Sequence, residues 1–80
     1  MLIKAHHADD YKPIPPILRE FRETAGLTQR ALGTALDKPQ SWVHNCETGS
    51  RRVDVAELVA WARACGQSPR TALERYLKAL

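Results

Sequence analysis

Helix punctuation is spaced so closely along this sequence that only short helices can form. Prolines stand at 13, 15, 16, 39 and 69 and glycines at 26, 33, 49 and 66. Proline suits a first helical turn, where its missing N–H has no intrahelical partner. Glycine suits the left-handed residue just past a helix end. Between these marks apolar residues recur three and four apart, as on one face of an amphipathic helix. Ile17, Leu18, Phe21 and Ala25 form the first stripe, which ends at Gly26. Thr28, an N-cap residue, opens a second with Leu32, Ala35 and Leu36 that stops near Asp37. Pro39 suits the first position of a third, with Val43 and Cys46 on one side and Thr48-Gly49-Ser50 at its end. Asp54 with Glu57 is a capping-box pattern before Val55, Leu58, Val59 and Ala62, and Gly66 closes that segment. Ser68-Pro69 opens a fifth with Leu73, Tyr76, Leu77 and Leu80. No segment alternates as a strand does. The expected fold is all-α: five short helices over residues 14–80 around one core, after a short N-terminal extension, residues 1–13, expected to be a flexible tail.

Eighty residues suffice for one small domain and not for two. The apolar runs are only a few residues long, and the N-terminus lacks a continuous apolar stretch, so neither a membrane span nor a signal peptide is expected. The cytoplasm, with association to the nucleoid, is the expected location. Cys46 and Cys65 make neither a disulfide framework nor a zinc site, and both are expected to be buried thiols. His6, His7, Asp9 and Asp10 have metal-binding chemistry, but no convergent ligands follow, and a solvated tail is the expectation. No metal and no cofactor are implied. Twelve basic residues face nine acidic ones, a mild excess that permits a nucleic-acid partner without demanding one. Most of the surplus sits in residues 28–52, where Arg30, Lys38, Arg51 and Arg52 outnumber Asp37 and Glu47.

The second and third segments are separated by about three residues, the spacing of a helix-turn-helix. The pieces AGLTQ, the Val43-to-Cys46 spacing, E-x-G at Glu47–Gly49, RRVDV and LVAWARACG occur in an order that resembles the Cro/phage-repressor, or Xre-type, helix-turn-helix family. The resemblance covers about residues 17 to 77 and implies a five-helix Cro/repressor-like domain. In the turn, Asp37 stands where the family commonly has glycine, and Lys38 where it usually has an apolar residue. Helix crossing in this motif needs a small residue in the second helix, and Gly33 occupies that place. Glycine lowers helix propensity by about 1 kcal/mol relative to alanine, which points to a packing reason.

The resemblance implies that the helix at about 39–48 reads the major groove. Gln40, Ser41, His44 and Asn45 are its candidates for base contact, since Gln and Asn pair bidentately with adenine and Ser with several bases. A plain polar helix face is the other reading. Gln29 is a phosphate candidate at a positive helix end, against a merely solvated glutamine. Arg30, Lys38, Arg51 and Arg52 are further phosphate candidates, against solvated charge. Trp42 packs either a thymine methyl or sugar or, the favoured reading, a neighbouring helix. Arg22 and Glu47 match positions that form an internal ion pair in the family. Trp61, Tyr76, Leu77 and Leu80 are candidates for a subunit interface.

The expected function is a sequence-specific DNA-binding transcription regulator, a repressor or autoregulator. Its expected partners are double-stranded DNA carrying a palindromic operator and a second copy of the chain. The alternative is a protein-interaction module or antitoxin-type partner that keeps the fold, with a toxin or polymerase as protein partner. An enzyme comes last. Cys46 and His44 are the one nucleophile–base pair, and residues two apart on a helix point in different directions.

Overall fold

The computed structural model describes residues 8–80, with side chains from Asp10 onward. His6 and His7, and the side chain of Asp9, lie outside the described residues. The helices are α1 Ala8–Tyr11, α2 Ile14–Thr24, α3 Gln29–Leu36, α4 Gln40–Thr48, α5 Val55–Ala64 and α6 Pro69–Ala79. The described residues contain no strand.

Local chemistry accounts for the boundaries. Pro15 and Pro16 occupy the first turn of α2, where no N–H is needed. The Thr28 hydroxyl accepts from the Ala31 N–H at 3.0 Å and caps α3. Asp54 and Glu57 form a reciprocal box at the start of α5, with bonds of 2.7 and 2.8 Å. The Ser68 hydroxyl accepts from the Arg70 N–H and caps α6. Pro39 is not the first helical residue but the N-cap of α4, because its ψ of 159° is extended.

Leu18, Leu32, Val43, Cys46 and Trp61 are fully buried, and Ile14, Ile17, Phe21, Ala62, Cys65 and Ala72 complete the core. Both cysteines are free thiols. The expected stripes are narrowed in α2, α3, α5 and α6, with Val55 of α5 and Leu73, Leu77 and Leu80 of the last segment exposed. Ala25 is exposed beyond the end of α2, and Ala35 is exposed on α3, whose buried residues are Leu32 and Gly33. The expectation that Trp61 marks a subunit interface is corrected. It is 0% exposed, and its indole N–H donates to the Leu18 carbonyl at 2.9 Å. An indole that reaches a backbone acceptor from inside the core has no surface to offer a partner.

The extension also departs from a flexible tail within its described part. Tyr11 packs against the core, and its hydroxyl accepts from the Val53 N–H at 2.9 Å. The Tyr76 hydroxyl donates to the Asp10 carbonyl at 2.7 Å. Two tyrosines thus tie this segment to the loop before α5 and to α6.

Candidate nucleic-acid interface

The turn between α3 and α4 sets the geometry of the surface. Asp37 adopts φ 57°, a left-handed conformation that glycine takes freely and that aspartate tolerates better than most residues. The chain then doubles back so tightly that the Lys38 N–H donates to the Gly33 carbonyl at 2.8 Å. A Cβ on Gly33 would lie 2.6 Å from the Lys38 carbonyl oxygen, so glycine is a steric requirement of this crossing.

Behind the turn lies a polar network. The Arg22 Nε donates to one Glu47 oxygen at 2.6 Å and its Nη2 to the other at 3.0 Å, a bidentate pair linking α2 to the end of α4. The side chains are 12% and 3% exposed. The third guanidinium nitrogen donates to the Leu27 carbonyl at 2.8 Å. The bonds to Glu47 raise the Arg22 guanidinium above its ordinary pKa. The Gln29 amide donates to Glu47 at 3.0 Å, and its carbonyl accepts from the Gln40 amide at 2.7 Å. A chain of four side chains therefore runs from the core to the exposed first residue of α4. It fixes the rotamer of Gln29 and the direction of Gln40.

Ser41, His44 and Asn45 share the exposed side of α4 with Gln40, opposite buried Val43 and Cys46. Arg30, at the start of α3, and Lys38, in the turn, are exposed. Trp42 is half-buried, its ring centroid 6.1 Å from that of Trp61, with Lys38 and Arg51 over it at 5.4 and 5.0 Å. Its ring bridges α4 to the core through Trp61. Arg51, expected as a phosphate cation, is half-exposed and already has a partner within the chain. Both of its terminal nitrogens bond the two Glu57 oxygens at 3.1 Å, so its charge is largely answered within the chain. Arg52 remains exposed, its guanidinium over the Tyr11 ring at 4.6 Å.

Sequence reasoning missed Tyr11 and the pairing of Glu57 with Arg51. Glu57 carries a signal, since a capping-box glutamate six residues after an arginine can face it, but Tyr11 meets Val53 only through the fold. Burial pushes the thiols of Cys46 and Cys65 up, which leaves them poor nucleophiles.

Leu73 and Leu77 of α6 and Leu80 just after it are 52–64% exposed, and Val55 is 78% exposed. Tyr76 is half-buried with its hydroxyl engaged on Asp10, which leaves Leu77 and Leu80 as the outward members of the expected interface set. No helix among the described residues is long and apolar enough to cross a membrane.

A family model described as a helix-turn-helix domain matches residues 17–79. A solved structure described as an XRE-family like protein from Pseudomonas syringae pv. tomato str. DC3000 is 34% identical, with a TM-score of 0.82 over 91% of this chain and 89% of that one. Two structures of the clp gene regulator ClgR from Corynebacterium glutamicum are each 24% identical with a TM-score of 0.78. They align with 88% and 89% of this chain and 74% and 92% of their own. At that identity they share the fold. A search of curated proteins finds no match.

Proposed function

The chain belongs to the helix-turn-helix domain family, of the Xre type, and from that premise we propose that it is a sequence-specific DNA-binding transcription regulator acting as a repressor or autoregulator. One observation carries this reading. The exposed amide of Gln40 is braced through Gln29 and Glu47 to Arg22, whereas a solvated helix face has no need of a fixed amide. Fixing a rotamer in advance lowers the entropy lost when that amide pairs with a base edge. In this reading Gln40, Ser41, His44 and Asn45 face bases, while Gln29, Arg30, Lys38 and Arg52 meet phosphates. Its place is the cytoplasm, on the nucleoid.

One reading helix spans too few base pairs for useful selectivity, so two copies would bind a palindromic operator with half-sites about one helical turn apart. The outward leucines of α6 support a homodimer. They also support the second reading, a module whose α6 face docks another protein. Selection of bound sequences from a random DNA pool, followed by binding over a salt series, tests both. A palindromic consensus with salt-sensitive affinity supports the regulator. Absence of salt-sensitive binding to any sequence leaves the protein-docking module.

A further inference from the structure

The exposed row of α4 continues from Ser41 through His44 and Asn45 to Thr48, three to four residues apart on one side of the helix. Thr48 and Gly49 form one wall of a groove whose other walls are Pro15, Tyr11 and Arg52. Tyr11 makes two contacts there with consecutive residues of the loop before α5. Its ring lies under the Arg52 guanidinium at 4.6 Å, and its hydroxyl accepts from the Val53 N–H at 2.9 Å. Tyr11 is itself held, since it packs on the core and the adjacent Asp10 carbonyl accepts from Tyr76. One aromatic side chain thus fixes both the side chain of Arg52 and the backbone just beyond it. Arg51, its neighbour, is paired with Glu57, so the two arginines of this loop have different tasks.

We infer that Tyr11 is a positioning residue for DNA-backbone binding: it holds Arg52 at the end of the reading helix, where a phosphate flanking the base contacts meets it. The inference rests on the DNA-binding reading above. A guanidinium lying over a ring keeps its in-plane N–H donors for the two oxygens of a phosphate. Held in place beforehand, it loses less rotamer freedom on binding than a free arginine does. The N-terminal extension, which has no place in the base-reading unit, thereby acts on DNA through the loop.

The test measures binding of wild type, Tyr11→Leu, Arg52→Ala and the double variant to a selected site and to random DNA, over a salt series, with melting curves for each. Tyr11→Leu is expected to weaken both DNAs alike by about two- to fivefold, the worth of an exposed cation–ring contact. Arg52→Ala is expected to weaken both alike and to reduce the salt slope by about one. The double variant is expected to bind like Arg52→Ala alone, because the ring acts through the arginine. A folded Tyr11→Leu that binds like wild type, or a loss that adds in full to that of Arg52→Ala, overturns the inference. If Tyr11→Leu does not fold, the wild-type protein decides. Titration with DNA should shift the Arg52 Nε–H and Val53 amide resonances together, and their staying put overturns it. Wild type that binds no DNA overturns the underlying reading as well, an outcome separate from failure of the variants alone.

Discussion

Arg22 carries more of this molecule than its place on a surface helix suggests. Its guanidinium serves Glu47 twice and the Leu27 carbonyl once, so deletion leaves a buried carboxylate without its counter-charge, held by the Gln29 amide alone, and takes the same donor from a backbone acceptor. Breaking a buried pair by removing one partner costs about 3–5 kcal/mol. The Arg22→Ala variant should therefore lose about 3 kcal/mol and melt at least ~10 °C below wild type by calorimetry. At Gln40 the expected loss concerns selectivity and not stability. Gln40→Ala should cost about 1–3 kcal/mol on the selected site, relax preference at one base pair, and leave random DNA almost unaffected. Equal losses on both DNAs would refute the assignment of Gln40 to a base. At Glu57, the Arg51 guanidinium and the Asp54 N–H hold the carboxyl below its ordinary value of 4.5. A lowered carboxylate stabilises the fold above its ordinary pKa, and that contribution fades as pH falls through the folded-state value. Glu57→Gln should thus lower the melting temperature near neutral pH and flatten its fall below about pH 4.5. An unchanged acid limb would show that the pair adds nothing.

At the scale of the element, the helix-turn-helix is set by one missing methyl group and one left-handed residue. In an isolated helix Gly33→Ala would gain about 1 kcal/mol. Here the added carbon would meet the Lys38 carbonyl at 2.6 Å, and backbone cannot swing aside as a side-chain tip can. Overpacking of this kind costs about 1–3 kcal/mol, so the steric term wins. Gly33→Ala should be destabilised, and its DNA affinity should fall further than its melting point predicts, because the angle of α4 to α3 shifts. A variant as stable as wild type would mean that the turn can open without loss. The capping box of α5 belongs to this scale too. Glu57 both closes the box and receives Arg51, so the start of α5 and the loop after α4 are held by one carboxylate.

For the whole molecule, the core is made by α2 to α6 on one side of α4, and Leu73, Leu77 and Leu80 are left outside it. Leu77 is 58% exposed and Leu80 64%, and among the described residues neither belongs to the core or to the side chains packed against it. Leu77→Glu should shift sedimentation from dimer toward monomer and weaken operator binding at low protein concentration, with little change in melting temperature. A wild-type protein that stays monomeric at high concentration, free and on DNA, would remove the homodimer from the proposal. Trp61 has no part in that test, since a substitution there opens a cavity in the core.

The sequence by itself determined α2 to α6, though not α1, and most of their boundaries, because these depend on neighbours in the chain. Thr28 and Ser68 cap within three residues, Asp54 and Glu57 box within three, and proline and glycine act where they stand. The polar face of α4 follows from the same 3.6-residue period. Tertiary structure alone decided which members of those stripes are buried. Trp61 sits at the edge of its helical stripe yet is sealed in the core by the approach of α2, whose Leu18 carbonyl receives its N–H. Arg51 and Arg52 are adjacent and chemically identical, and only folding separates them: one meets Glu57, the other the ring of Tyr11, forty-one residues away in the chain. Periodicity reports which way a residue faces on its own helix. It carries no information on what the rest of the chain brings to that face, which is why Tyr11 was invisible until the loop before α5 came to rest on it.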